Sequence, residues 1–144
     1  MPWTTSVLVI ASVTAESDEL LEALSSLAER GPTRFTLLVP APGGDRAAGR
    51  ERLDAALARL HEAGLSAGGQ VGDADPIAAI HEAWDPREYD EIVVSTLPTD
   101  ASRWLALDLP HRVARMTGVP VNHVAAEPKH HFTAAPLPPH ERAG

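Results

Sequence analysis

Glu91-Ile92-Val93-Val94-Ser95-Thr96 runs through three consecutive branched apolar side chains and closes on two hydroxyls. Strict alternation would mark a strand with one wet face. A continuous apolar run instead marks a strand covered on both faces, as in a parallel sheet between layers of helices. Ser6-Val7-Leu8-Val9-Ile10-Ala11 and Phe35-Thr36-Leu37-Leu38-Val39 repeat the pattern earlier in the chain. Two weaker segments complete the set. Leu65 to Val71 contains Gly68 and Gly69, which lower strand propensity, and Val119 to Val124 contains Pro120, which suits the start of an edge strand.

Helical patterns fill the intervals. Ser17 reads as an N-cap followed by Asp18 and Glu19, with Leu20, Leu21, Leu24, Leu27 and Ala28 in one stripe and Gly31-Pro32 as the stop. Pro40-Ala41-Pro42-Gly43-Gly44 is a breaker cluster through which neither strand nor helix is expected to continue. From Asp45 a second helix carries Leu53, Ala56, Leu57 and Leu60 and stops at Gly64. Asp75-Pro76 caps a short third helix with Ile77, Ile80 and Trp84 on one face, broken by Asp85-Pro86. A proline turn and a polar stretch through Ser102 follow Thr96, and Pro110 opens a last helix with Val113 and Met116 that Gly118 ends. Five strands alternating with four helices predict one open, mostly parallel, Rossmann-like α/β sheet with helices on both faces. Ligands of such sheets bind beyond the carboxyl ends of the strands, which directs attention to the loops Ser12 to Glu16 and Ser95 to Arg103.

Composition narrows the function. The chain has 144 residues, enough for one core that buries roughly 70% of the unfolded surface. Twelve basic against twenty acidic residues leave a net charge of −8, a field that repels nucleic acid and anionic lipid. With 4% aromatic residues there is no interleaving of bases and stacking rings for single strands. The absence of cysteine removes disulfides, thiolate metal sites and thiol nucleophiles. MPWTTSVLVIAS has no basic leader and too short an apolar run for a membrane span, so a cytoplasmic location is expected. PKHHFTAAPLPPHERAG has four prolines and no periodicity, and 128–144 is expected to be a mobile tail following a domain of residues 1–127.

The set Gly72-Asp73, Pro76, Ile80, Ala83, Asp90 to Ser95, Arg112-Val113 and Val119-Pro120-Val121 resembles the universal stress protein family over about residues 5 to 125. The resemblance implies a five-stranded parallel sheet of order 3-2-1-4-5, a nucleotide site at the first and fourth strands, and homodimers paired through the fifth. The signature of ATP-binding members is glycine, two residues, glycine, nine residues, glycine, then serine or threonine. Here those positions hold Ser95, Pro98, Asp108 and Leu109. The family's adenine-side aspartate falls on Ser12, with Val13 and Thr14 after it. Proline lacks the amide that would meet a phosphate, and an aspartate repels one. The expectation is a divergent member with a degenerate nucleotide site that does not bind ATP in the usual way.

Ser12, Thr14, Ser95, Thr96, Ser102 and Arg103 are the candidate binding residues, hydroxyls and one guanidinium standing in for glycine amides around a small ligand or a partner protein's loop. Trp104-Leu105 and Leu107 are expected to anchor the loop to the core. The alternative is a small-molecule or nucleotide-binding enzyme, or a phospho-acceptor domain built on Asp73, Thr96 and Lys129. Against the latter, Ala11 and Ser12 stand where a receiver needs a magnesium-holding acidic pair, and Asp73 reads more simply as a turn residue. His123, His130 and His131 have poor spacing for a metal, and no Walker, GxSxG or HExxH motif is present. No cofactor, metal or catalytic residue is expected.

Overall fold

A computed structural model describes residues 4–98 and 103–126. Its strands are β1 (Thr5–Ile10), β2 (Thr33–Pro40), β3 (Ser66–Gly72), β4 (Glu91–Thr96) and β5 (Val121–Ala125), and its helices are α1 (Asp18–Glu29), α2 (Arg46–Glu62), α3 (Pro76–Ala83), α4 (Arg103–Ala106) and α5 (Leu109–Thr117). The strands form one sheet of order β3-β2-β1-β4-β5, and every pairing is parallel. The α/β architecture and strand order are those expected. Val9 stands opposite Leu37 on one side and Val93 on the other, so β1 is the middle of the sheet.

The unbroken apolar runs are explained by two cores. Val7, Val9, Phe35, Leu37, Val39 and Val93 pack with Leu20 and Leu24 of α1 and Leu53, Ala56 and Leu60 of α2. Leu8, Ile10, Leu38, Ile92 and Val94 face the other way, onto Ala79 and Ile80 of α3 and Leu109 and Val113 of α5. Successive side chains of a strand alternate faces, so a strand between two helix layers must be apolar at every position. Val7 to Ile10 are accordingly no more than 1% exposed.

The capping residues act as the sequence suggests. Ser17 accepts from the Leu20 amide at 3.1 Å, Asp45 from Ala48 at 3.1 Å and Asp75 from Ile77 at 3.0 Å. Each satisfies an amide that the helix leaves without an internal partner.

Several expectations are corrected. β2 continues through Pro40 into the breaker cluster, and Pro42–Gly44 forms a 3₁₀ turn. Proline at a strand's last position costs little, since the segment beyond turns away and Ala41 still donates to Gly72 at 3.0 Å. The polar loop after β4 leads into an additional short helix, α4. Trp84 lies just past α3 in extended conformation and stacks on Tyr89 at a centroid distance of 5.9 Å. Gly69 helps β3 to form, because a Cβ there would come within 2.4 Å of the Leu37 carbonyl oxygen and 2.7 Å of Leu53 Cδ1. The expected tail, with Lys129, His130 and His131, lies outside the described residues.

Candidate functional site

The chain crosses from β1 to β2 on one side of the sheet and later returns to place β4 on β1's other side. Loops leaving the carboxyl ends of β1 and β4 therefore diverge and leave a crevice between them. A cleft of about 330 Å³ occupies this position, lined by Ser12, Val13 and Thr14 after β1, Ser95, Thr96 and Leu97 at the end of β4, and Arg103 and Trp104 of α4, with Pro42 and Arg52 closing the β2 side. Five of the six expected binding residues meet there. Ser102 lies outside the described residues.

Compact turns position the β1 loop. Ala15 donates to the Ser12 carbonyl at 3.0 Å and Ser17 to that of Thr14 at 3.0 Å. Thr14 is thereby turned inward, and its Oγ1 lies 2.6 Å from Ser95 Oγ, both residues being 1% exposed. A hydroxyl pair of this kind uses one of its two protons internally and leaves the other available as a donor.

Thr96 plays a different part from the one expected. Its hydroxyl donates to the Leu97 carbonyl at 2.8 Å, which leaves it only as an acceptor toward His123 Nε2, also at 2.8 Å. His123 therefore carries its proton on Nε2. Thr96 lines the cleft, but its own proton is committed to fastening β4 to β5. Burial pushes the His123 imidazole below its ordinary value of 6.5. A folded-state value below the unfolded one means that the unfolded chain takes up this proton first as pH falls. The stability linked to His123 is whole above the unfolded value and is lost as pH falls through the folded one. Replacing His123 by glutamine, which keeps an amide donor toward Thr96 without titrating, should shrink the loss of melting temperature between about pH 7.5 and pH 5. Thermal unfolding of both proteins across that range checks it.

Trp104 does two things at once: it packs against the core layer that holds Val94 and Leu109 and also forms one wall of the cleft. Leu107 does not anchor the loop as expected; it is 50% exposed. Asp73 accepts from the Asp75 amide at 2.8 Å as a turn residue, and it follows β3, two strands away from β1's junction with β4. Asp73 and Thr96 are thus not brought together. Among the described residues no three metal-ligating side chains cluster, and no helix is long and apolar enough to cross a membrane.

Arg52 is the residue that sequence reasoning missed. It extends from α2 and donates through Nη1 to Ser12 Oγ at 2.8 Å. The available signal was local: Arg52 borders the buried face formed by Gly49, Leu53, Ala56 and Leu60. Gly49 lets that face approach the sheet, since a Cβ there would come 2.9 Å from Val71 Cγ1.

No family model matches the chain, and no curated protein does. Among solved structures it is similar to a crystal structure of a universal stress protein in complex with cAMP, with a TM-score of 0.62 and 20% sequence identity over 88% of this chain and 100% of that one. At this identity the likeness is one of architecture: the chain has the universal stress protein fold.

Proposed function

We propose that the protein is a ligand-binding regulatory module of universal stress type, located in the cytoplasm, which pairs through β5 into homodimers and does not bind ATP in the family's usual way. The cleft at the switch between β1 and β4 carries the reading. Its volume of about 330 Å³ stands at the small end of ligand pockets, which run from roughly 300 to 1,000 Å³. The solved neighbour holds cAMP, a ligand of the size this reading favours. The described lining holds no carboxylate, histidine or lysine, and the reading assigns the cleft binding rather than catalysis.

Asp108 supports the divergence from ATP binding. It has φ 58° and ψ 40°, a left-handed backbone that glycine adopts without strain, at the position where the family signature has its third glycine. Here the position carries an aspartate whose carboxylate lies 2.9 Å from His111 Nδ1, so a side chain stands where the signature has none. For the dimer, β5 pairs only with β4 among the described strands, and its other edge offers backbone groups for strand addition.

Native mass spectrometry of freshly purified protein should show a dimer retaining a small non-covalent ligand, and calorimetry with magnesium-ATP should give no heat. A concentration-independent monomer counts against the β5 pairing. Micromolar ATP binding that disappears in Ser95→Ala or Arg103→Ala overturns the non-ATP reading.

A further inference from the structure

We infer that the cleft is a receptor for a small organic anion, whose charged group sits on Arg52 beside Ser12 and whose apolar or aromatic body lies against Trp104, Leu97 and Val13. This rests on the cleft being a ligand site and adds the chemical class that it takes.

The first observation is an imbalance of charge. The protein carries −8 overall, yet the described lining of the cleft has two guanidiniums and no carboxylate. Arg30, Arg50, Arg59 and Arg87 have acidic partners, whereas Arg52 and Arg103, like Arg34, Arg46, Arg112 and Arg115 elsewhere on the surface, have none within 4.0 Å among the described residues. Arg52 is half-buried, and a guanidinium withdrawn from water without a counter-ion is costly. An anionic ligand supplies that counter-ion.

The second observation is an imbalance of hydrogen bonding. A guanidinium has five N–H donors, and Arg52 directs one to Ser12. Ser12 accepts that bond, which leaves its own O–H to donate. The Thr14–Ser95 pair also keeps one O–H, as derived above. Donors from α2, the β1 loop and β4 thus line the same space with no described carboxylate to receive them. A carboxylate or a phosphate ester, acceptor-only and rich in lone pairs, complements such a wall, and charge-assisted bonds to arginine are the strongest of this kind.

The rest of the lining is apolar. Trp104, Leu97, Pro42 and Val13 surround the donors, and Val13 is 47% exposed, so its side chain is open to a ligand in the cleft. An anion with a ring or hydrocarbon body satisfies both halves. Inorganic phosphate or a fully hydrophilic anion satisfies only one.

The test titrates the full-length protein with pairs that share an aromatic body, one member anionic and the other uncharged: cAMP against adenosine, and the near-isosteric indole-3-acetate against indole-3-acetamide. Amide shifts of Ser12, Thr14 and Ser95 in heteronuclear NMR spectra are the readout. In at least one pair the anion should bind about tenfold or more tighter than its uncharged partner. The cAMP pair reports a phosphate ligand, the indole pair a carboxylate. Arg52→Gln should bring the two members of that pair within about threefold by weakening the anion alone, and Arg52→Lys, which keeps the charge and loses the fork, should fall between. An unchanged amide spectrum elsewhere confirms that the variants are folded. If both members of each pair bind alike, the anion assignment fails while the cleft remains a ligand site. If Arg52→Gln keeps the anion's full advantage, the assignment to Arg52 fails. If no probe moves the cleft amides, the assignment and the ligand-site reading fail together.

Discussion

Replacing Phe35 by alanine is expected to cost about 4 kcal/mol of folding stability, the largest single effect in the molecule. Phe35 heads the largest fully buried side chains and has no exposed surface. It stands opposite Val7 of β1 and Ala67 of β3, beneath the layer formed by α1 and α2. Truncation removes the ring's burial and opens a void that the central strands, tied on both sides by backbone hydrogen bonds, cannot collapse to fill. Single domains are stable by only about 5–15 kcal/mol, so the variant approaches the threshold of folding. Phe35→Leu keeps most of the volume and should cost under about 1.5 kcal/mol. Urea unfolding checks both: the midpoint should fall in that order with little change in slope. Phe35 lies toward the strand ends opposite the cleft, so the folded fraction of Phe35→Leu should bind ligand as the parent does.

Gly69→Val should cost about 3 kcal/mol, by the opposite mechanism of overpacking. The nearest obstacle to a Cβ at Gly69 is a main-chain carbonyl, that of Leu37 at 2.4 Å, which cannot rotate away as a side chain would. The Leu53 Cδ1 methyl of α2 stands 2.7 Å off on the same side, so that side chain must turn aside as well. A melting temperature about 10 °C lower is expected for a chain of this size. Gly68→Ala provides the control, since a Cβ at Gly68 meets nothing within 4 Å. That change should be neutral or stabilising by a few tenths of a kcal/mol to about 1 kcal/mol, because it removes freedom from the unfolded chain only. If both variants behave alike, strand propensity rather than packing governs β3.

These two positions also show how far the sequence could be read. Phe35 was legible because it opens an apolar run interrupted only by Thr36, and such runs report burial on both faces. Gly69 was misleading because propensity counts only what glycine costs a strand. Its benefit depends on a carbonyl and a leucine that belong to other elements. Trp104 was read as a core anchor, and it is also a cleft wall, since an aromatic ring has two faces and sequence does not say what meets the second. Thr96 was read as a ligand donor from its place at a strand end. Its proton is claimed by Leu97, and its oxygen also meets a histidine 27 positions later.

By itself, then, the sequence determined the layered α/β architecture, the helix caps and the crevice that five candidate residues share. Those features follow from periodicity and from side-chain chemistry that acts within a few residues. Only the tertiary structure decided which donors in the crevice are free and where its positive charge lies. Arg52 and Ser12 are separated by 40 positions and meet where α2 packs onto the sheet beside the end of β1. A hydrogen bond of that kind depends on the distance between two elements: the helix pattern places Arg52 beside the buried face but does not say what it meets there.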